Sequence, residues 1–225
     1  MGHESRLSGR VVLCTGAAGP AAAVTESLLA RGARVAWAGP DAEDVRLAAV
    51  PGSPVLALQC GRDDLAALGP AVDTVVDHYG RLDHLVNLIS VRPRTGPLME
   101  LDPLALRDAL HGDLVMPLAW IQRAHWRWMA AHGGSVVNVV ADAVRDGPQH
   151  AAVSSLTELT EWLAAELAPR LDVHTIVPSP SLGGTGLYQA GIAGALCDLL
   201  TRRTNPSHGP VMVLSEEPAC PSRAA

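Results

Sequence analysis

The chain alternates between short apolar runs and helical stretches from one end to the other, which limits the folds open to it. Seven runs rich in Val, Leu and Ile span residues 10–14, 34–38, 55–60, 82–89, 135–140, 173–178 and 210–214. Parallel strands need crossover helices, so this order predicts an α/β fold: a doubly wound parallel sheet of about seven strands, with helices on both faces. The runs are continuously apolar, which indicates strands buried on both sides.

Size and charge favour one globular domain without a nucleic-acid partner. The 225 residues, 48% of them hydrophobic, suffice for one α/β domain and are too few for two. We predict a single domain over residues 1–225, with a loose tail at 216–225. The formal net charge of -6 opposes nucleic-acid binding, which requires a basic face.

The first ten residues and the cysteines indicate the compartment. The polar start of the chain has no apolar leader, and no apolar run reaches the length of a membrane span, so we expect a cytoplasmic protein. Cys14, Cys60, Cys197 and Cys220 lie far apart, without a C-x-x-C pair or a histidine at ligand spacing. This spacing predicts buried thiols and neither a disulfide framework nor a metal site.

Five motifs in a fixed order resemble the short-chain dehydrogenase/reductase family over almost the whole chain. They are TGAAG at 15–19, YGRLDHLVN at 79–87, GGSVVNV at 133–139, LTEWLAAELAPR at 159–170 and IVP at 176–178. The resemblance implies a Rossmann-like fold and a dinucleotide site at the end of the first strand. It also implies an Asn, Ser, Tyr and Lys set for ketone and alcohol chemistry.

The cofactor positions that the resemblance implies are only partly retained. Thr15, Gly16 and Asn87 match the family, and Gly19 could partly compensate for the lost loop glycines; we interpret all four as vestigial cofactor-binding residues. The family's later loop glycines fall on Pro20 and Ala22, and its acidic residues after the second and third strands fall on Gly39 and Gly61. A proline has no N–H for a phosphate, and a Cβ hinders close approach. We therefore predict no cofactor, with weak NAD(P) binding left open.

The catalytic positions depart further from the family. The Asn position aligns with Asp113, and the Ser position falls on Ala141 or Val140. The Tyr and Lys positions fall on Gln149 and Val153 in one register, and on Ala152 and Leu156 in the other. The chain contains no Lys, and its two Tyr residues are Tyr79 and Tyr188. The family's usual redox mechanism is therefore expected to be absent.

Titratable side chains remain near the expected ligand crevice. The candidates for acid–base catalysis are His150 first, then Asp142, Asp113 and Asp146. A His with an Asp could move a proton in a dehydration or ring closure. The alternative is that the loop Asp residues form turns and that His150 lies on a helix surface.

The tryptophans suggest an oligomer. Trp120, Trp126 and Trp128 lie on one predicted helix and Trp162 on the next, and in relatives these two helices pack against the same pair in a second subunit. We expect a homodimer, a homotetramer or a hetero-oligomer with a homologous subunit. Simple packing within the chain is the alternative.

Three functions remain open at this point. The favoured one is a cofactor-independent cyclase, isomerase or dehydratase acting on a carbonyl-rich small-molecule metabolite. A composition rich in Ala, Gly, Arg and Pro further suggests bacterial, actinobacterial secondary metabolism. The alternatives are a non-catalytic subunit paired with an active homologue and, least favoured, a residual NAD(P)-dependent oxidoreductase.

Overall fold

The computed structural model describes residues 7–16, 20–40, 55–89, 98–140, 148–179, 185–201 and 209–214, and it confirms the predicted sheet. All strand pairs are parallel, in the order β3-β2-β1-β4-β5-β6-β7. The strands are β1 (Val11–Thr15), β2 (Arg34–Gly39), β3 (Val55–Gln59), β4 (His84–Ile89), β5 (Gly134–Val140), β6 (Leu171–Pro178) and β7 (Val211–Leu214).

The helices largely follow the predicted stretches. They are α1 (Ala21–Ala30), α2 (Leu68–Tyr79), α3 (Pro103–Leu110), α4 (Met116–Ala124), α5 (Ala130–His132), α6 (Pro148–Leu167) and α7 (Thr185–Thr201). Two π-helical segments, His111–Val115 and His125–Met129, join α3, α4 and α5 into one continuous helix over 103–132, here called the long helix. A 3₁₀ turn, Leu98–Glu100, precedes it.

The sequence pattern predicts helices that begin near Asp63 and near Gly191, and both predicted starts are wrong. α2 begins at Leu68 and not near residue 63, because the Asp64 carboxylate accepts the N–H groups of Ala66 and Ala67 and holds a turn there. α7 begins at Thr185, six residues before the expected start, in a segment that its glycines had suggested would be a flexible cover. The packing of α7 against the sheet and against α1 outweighs the low helix propensity of its glycines.

Helices cover both faces of the sheet, as predicted. On one face, Val24 and Leu28 of α1 pack with Ile192 and Leu196 of α7 in one buried cluster. On the other, residues of α2, α4 and the following π-helical segment form a second cluster, which includes Val75, Trp120, Ile121 and Met129. The direction in which successive strands are added to the sheet reverses at β1: β2 and β3 lie on one side of it, and β4 to β7 lie on the other. This reversal opens a crevice at the carboxyl ends of these strands.

An ionic cluster at the opposite end of the sheet sets the register of β1 against β4. The Asp83 carboxylate accepts hydrogen bonds from Arg10 at 2.7 Å, from Arg81 at 2.6 and 2.7 Å, and from the Val11 N–H at 2.9 Å. Burial raises the Asp83 pKa, but these four hydrogen bonds outweigh it and the pKa is lowered overall. In this register Thr15 stands opposite Asn87 at the carboxyl end.

Candidate functional site

The turn after β1 is held tightly between the ends of β2 and β4. Gly16 has φ +92°, and a Cβ there would overlap the Leu88 carbonyl oxygen. Its N–H donates to the Ala38 carbonyl at 3.1 Å, and its carbonyl accepts from Trp37 Nε1 at 3.2 Å. Only glycine can adopt this positive φ while lying so close to the Leu88 carbonyl. The retained Gly16 thus has a structural requirement in this chain.

The same turn explains why β2 ends without an acidic residue. A Cβ on Gly39 would lie 2.6 Å from the Gly16 carbonyl oxygen, so no side chain fits there. Pro20 occupies the N-cap of α1, where its lack of an N–H removes no helical hydrogen bond. The first-turn N–H groups of α1 remain without helical acceptors, as in any helix. Two departures from the family motif are therefore accommodated by the backbone around them.

A buried row of polar side chains crosses the sheet beside this turn. Thr15, Asn87, Asn138 and Thr175 face one another in register on β1, β4, β5 and β6. Thr15 donates to Asn87 Oδ1 at 2.8 Å, Asn87 Nδ2 donates to Asn138 Oδ1 at 2.9 Å, and Asn138 Nδ2 donates to Thr175 Oγ1 at 3.4 Å. Thr160 of α6 completes the row, 2.7 Å from Thr175. We call these five residues the polar row.

Breaking the polar row is expected to cost stability. Thr175→Val leaves the Thr160 hydroxyl and the Asn138 amide without one partner each, so the free energy of unfolding should fall by about 1–3 kcal/mol. Thr25→Val is the matched control, because Thr25 is equally buried but bonds only to the Ala21 carbonyl of its own helix. Urea denaturation measures both variants. Equal losses for the two would show that the row contributes nothing beyond local packing.

The long helix forms the far wall of the crevice. Its first π-helical segment, His111–Val115, is explained by the ring of Pro117, which leaves that residue without an N–H. Pro117 has no N–H to donate to residue 113, four positions earlier, so the regular helical ladder is interrupted there. The Met116 N–H instead donates to the His111 carbonyl, five residues back. Asp113 lies inside this segment. π-helical segments of this kind are frequent at functional sites.

These elements enclose a partly open cleft with about 560 Å³ of empty space. One wall comes from the ends of β1 to β4 and the other from the long helix. The lining residues are Thr15, Gly16, Ala38, Gly39, Pro40, Cys60, Gly61, Arg62, Asn87, Leu88, Ile89, Gly112, Asp113, Met116, Pro117 and Trp120. Asp113 and Arg62 are the charged members of this set. Its other side chains are mainly apolar, which suits an aromatic ring.

Asp113 is the carboxyl group of the cleft, and it titrates near neutrality. Burial raises its pKa to about 6, and the positive charge of Arg62 partly offsets this increase. Among the described residues, no salt bridge joins Asp113 to Arg62 or to any other cation. A carboxyl group with such a pKa, in a cleft, is a candidate acid–base group. This observation supports one of the four catalytic candidates named from the sequence.

The other sequence-based candidates have different outcomes. Thr15, Gly16 and Asn87 line the cleft, whereas Asp142, Asp146 and Gly19 fall outside the described residues. His150 is exposed in the first turn of α6 and is not part of the cleft lining. Sequence reasoning missed Arg62 and the polar row beyond Thr15 and Asn87. Polar residues inside the apolar runs SVVNVV and VHTIVP were the available signal for Asn138 and Thr175.

No described Tyr side chain reaches the cleft. Tyr79 lies on α2, and its hydroxyl donates to the carbonyl of Val35, near the amino end of β2 and remote from the crevice. Ala152, Val153 and Leu156, which occupy the family's Tyr and Lys positions in one register or the other, are buried apolar residues of α6. The sequence contains no Lys. Among the described side chains, a proton donor for this cleft must therefore come from another residue type.

Comparison with known proteins identifies the class. The family model described as enoyl-(acyl carrier protein) reductase matches residues 16–189. D-threitol dehydrogenase of Mycolicibacterium smegmatis is 32% identical over 202 residues, covering 81% of this chain and 74% of that protein. With this fold, these matches show that the chain belongs to the short-chain dehydrogenase/reductase family.

Solved structures agree with this assignment. A short-chain dehydrogenase/reductase from Serratia marcescens is 26% identical, with a TM-score of 0.78, covering 93% of this chain and 97% of that one. A metagenomic short-chain oxidoreductase in complex with NADP is 25% identical, with a TM-score of 0.79, covering 93% and 98%.

These comparisons correct two expectations from the sequence. The predicted cofactor-independent cyclase, isomerase or dehydratase, and its alternative of a non-catalytic subunit, are wrong, because the family and its named members indicate NAD(P)-dependent oxidoreductases. The prediction of no cofactor is wrong for the same reason. The error arose because the replacement of motif side chains was taken to mean that the binding site itself was lost. A dinucleotide is held largely by backbone groups and by the ends of strands, which such replacements leave in place.

Within the described ranges, no helix has both the length and the apolar character needed to span a bilayer. No group of three or more His, Cys, Asp or Glu side chains there is arranged to bind a metal ion. Cys14, Cys60 and Cys197 are free and buried, as predicted from their spacing.

Proposed function

We propose that this protein is an NAD(P)-dependent oxidoreductase that interconverts a small-molecule alcohol and its carbonyl compound. The observation that carries the proposal is the cleft at the carboxyl ends of β1 to β4, where Gly16 is held against Gly39 and Thr15 against Asn87. A doubly wound sheet binds its ligands at this position. The relative named D-threitol dehydrogenase and the neighbour solved with NADP support the same assignment.

The described residues suit the adenosine half of such a cofactor. Gly16 and Gly39 line the cleft with backbone alone, because a Cβ on either would collide with a neighbouring backbone carbonyl. Ile89 and Met116 offer apolar surface to an adenine ring. The amino end of α1 has no side-chain cap, so its first N–H groups are without helical acceptors, a feature of the kind that binds pyrophosphate. The bound nicotinamide would supply or accept the hydride.

We further propose that Asp113 transfers the proton that accompanies the hydride. Oxidation of an alcohol releases a proton from its hydroxyl, and reduction of a carbonyl adds one at its oxygen. With a pKa of about 6, Asp113 is mainly ionised at neutral pH and can accept that proton. The described residues of the cleft wall offer no Tyr for this task. The proposal names Asp113 as a catalytic residue in place of the family's Tyr.

Titration with nicotinamide nucleotides tests the proposed function directly. We expect saturable binding of NADPH or NADH with a dissociation constant of about 100 µM or tighter, roughly 5.5 kcal/mol of binding free energy. Enhancement of nicotinamide fluorescence or calorimetry measures it. A second experiment follows absorbance at the nicotinamide band with polyols and secondary alcohols as substrates. Absence of binding by both nucleotides at millimolar concentration would overturn the proposal.

We also propose that two copies of this chain associate through the long helix and α6. An apolar groove between these helices is lined by Leu114, Val115, Leu118, Leu159 and Trp162, together with polar residues of α6. Trp162 is 70% exposed and Trp126 is 65% exposed, which is unusual for this residue type. Trp120 is only 5% exposed and belongs to the core of its own chain. Members of the family commonly form oligomers, which supports a second copy as the partner.

A charge in this groove is expected to dissociate the proposed dimer. Trp162→Glu removes an aromatic residue of the interface and adds a carboxylate, so dimer affinity should fall by about 30-fold or more. Sedimentation velocity over a concentration series measures this. Met99→Glu is the control, since Met99 is 95% exposed on the 3₁₀ turn outside the groove. Wild-type protein that stays monomeric at every concentration would contradict the proposal.

A further inference from the structure

Arg62 is the only positively charged side chain among the described residues that line the cleft. It follows β3, which pairs with β2 at the edge of the sheet, so it stands beside the end of β2. Its side chain is exposed, and no salt bridge to it is found within the described part of the chain. The guanidinium is therefore available to a ligand.

Among the described residues, the end of β2 carries no side chain that would bind a free ribose diol. A carboxylate is the usual acceptor for two vicinal hydroxyl groups, but the Gly16 carbonyl excludes any side chain at Gly39. The next carbonyl, that of Pro40, already accepts a hydrogen bond from Gln59 Nε2 at 2.5 Å. The described residues of β2, β3 and the segment after β3 that line the cleft thus include one cation, Arg62, and no carboxylate.

Within the described part of the chain, none of the nearby acidic residues, including the adjacent and exposed Asp63, forms a salt bridge with Arg62. The Asp64 carboxylate accepts the N–H groups of Ala66 and Ala67 at the approach to α2, so it is already used in a turn. Asp113 lies on the opposite wall, on the long helix, where the charge of Arg62 acts on it without a salt bridge among the described residues. A phosphate on the side of β2 and β3 would therefore find a guanidinium that no described residue holds in an ion pair.

We propose that Arg62 binds the 2′-phosphate of NADP(H), so that this protein prefers NADP(H) to NAD(H). The inference rests on the proposed function and specifies the cofactor of the same site. A guanidinium matches a phosphate with two parallel hydrogen bonds, which an ammonium or a neutral amide cannot reproduce. The position is unusual in that the cation comes from the residues after β3 and not from the end of β2.

Two adenosine fragments isolate the contribution of the 2′-phosphate. Calorimetric titration of the intact protein with adenosine 2′,5′-bisphosphate and with 5′-AMP compares ligands that differ only in that group. We expect the bisphosphate to bind about tenfold tighter, the effect of one charge-assisted contact. The affinity for NADPH should exceed the affinity for NADH by a similar factor in a fluorescence titration. Raising the salt concentration should narrow both differences, because Arg62 is exposed.

Substitution then assigns the effect to Arg62. Arg62→Gln should reduce bisphosphate affinity to that of 5′-AMP and leave 5′-AMP binding unchanged, whereas Arg62→Lys should keep part of the preference. Arg31→Gln is the control, because Arg31 lies at the carboxyl end of α1 and bonds to Ser27 of the same helix. Its affinities should match those of the wild type.

The outcomes separate this inference from the proposed function. Equal binding of the two fragments, tighter binding of NADH, or a preference that survives Arg62→Gln would overturn the role of Arg62 while leaving an oxidoreductase. Failure of both dinucleotides to bind would overturn both proposals together. A preference for the bisphosphate that is lost only in Arg62→Gln would support the assignment.

Discussion

Asp113→Asn is expected to lower turnover by about 10²–10⁴-fold while leaving nucleotide affinity nearly unchanged. Asparagine has almost the same shape as aspartate but cannot accept or release a proton. The family's own residue at this position is Asn, so a merely structural role for Asp113 would leave activity intact or raise it. Steady-state kinetics with saturating nucleotide measures the effect. Full activity in Asp113→Asn would remove this residue from the mechanism.

The pH profile of the wild type gives the same test without a mutation. Because burial raises the Asp113 pKa to about 6, the carboxylate form is present above that pH and is lost as the pH falls through it. Alcohol oxidation, which needs the base, should therefore decline below about pH 6. Carbonyl reduction, which needs the acid, should decline above it. Asp108→Asn, at an exposed Asp on α3 paired with Arg107, should retain both profiles.

Gly16→Ala is expected to cost about 3–5 kcal/mol of stability and to lower the melting temperature by roughly 10 °C. The new Cβ would overlap the Leu88 carbonyl oxygen, and the residue would have to keep φ near +92°. The end of β1 would have to move away from β4, so nucleotide affinity should fall as well. Differential scanning calorimetry measures the stability change.

Two other glycines separate the causes of this loss. Gly80 also has positive φ, at +73°, but nothing lies within 4 Å of a Cβ there, so Gly80→Ala should cost only about 1–2 kcal/mol. Gly69 lies in α2 with open space around it, and Gly69→Ala should be neutral or stabilising by up to about 1 kcal/mol. A loss for Gly16→Ala no larger than that for Gly80→Ala would show that the turn can move away from Leu88.

The departure of this chain from its family's motifs has a partly structural explanation. Gly39 replaces an acidic residue because the turn after β1 leaves no space for a side chain. Pro20 replaces a glycine at a helix N-cap, where it costs no hydrogen bond. Such changes alter how a nucleotide is recognised without filling the crevice. The structure contains no comparable account of why the family's Tyr and Lys have been replaced.

Local sequence patterns determined the strands, their parallel order and the turn after β1. Burial of continuous apolar runs and the geometry of crossovers depend on residues close together in the chain, so these features were predictable. The absence of Lys, and with it the family's usual proton relay, is also a property of the sequence alone. The helix starts at Leu68 and Thr185 were not predictable from propensity, because a side-chain turn and tertiary packing decided them.

Only the tertiary structure decided which polar residues share a site. Arg62 and Asp113 are separated by 51 positions along the chain, and they line one cleft because β3 ends, and the long helix begins, at the same edge of the sheet. The same holds for Asn138, Thr160 and Thr175, whose contact depends on strand register and on the docking of α6. His150, the first choice from sequence, lies exposed because the orientation of a helix residue depends on packing that no local pattern records.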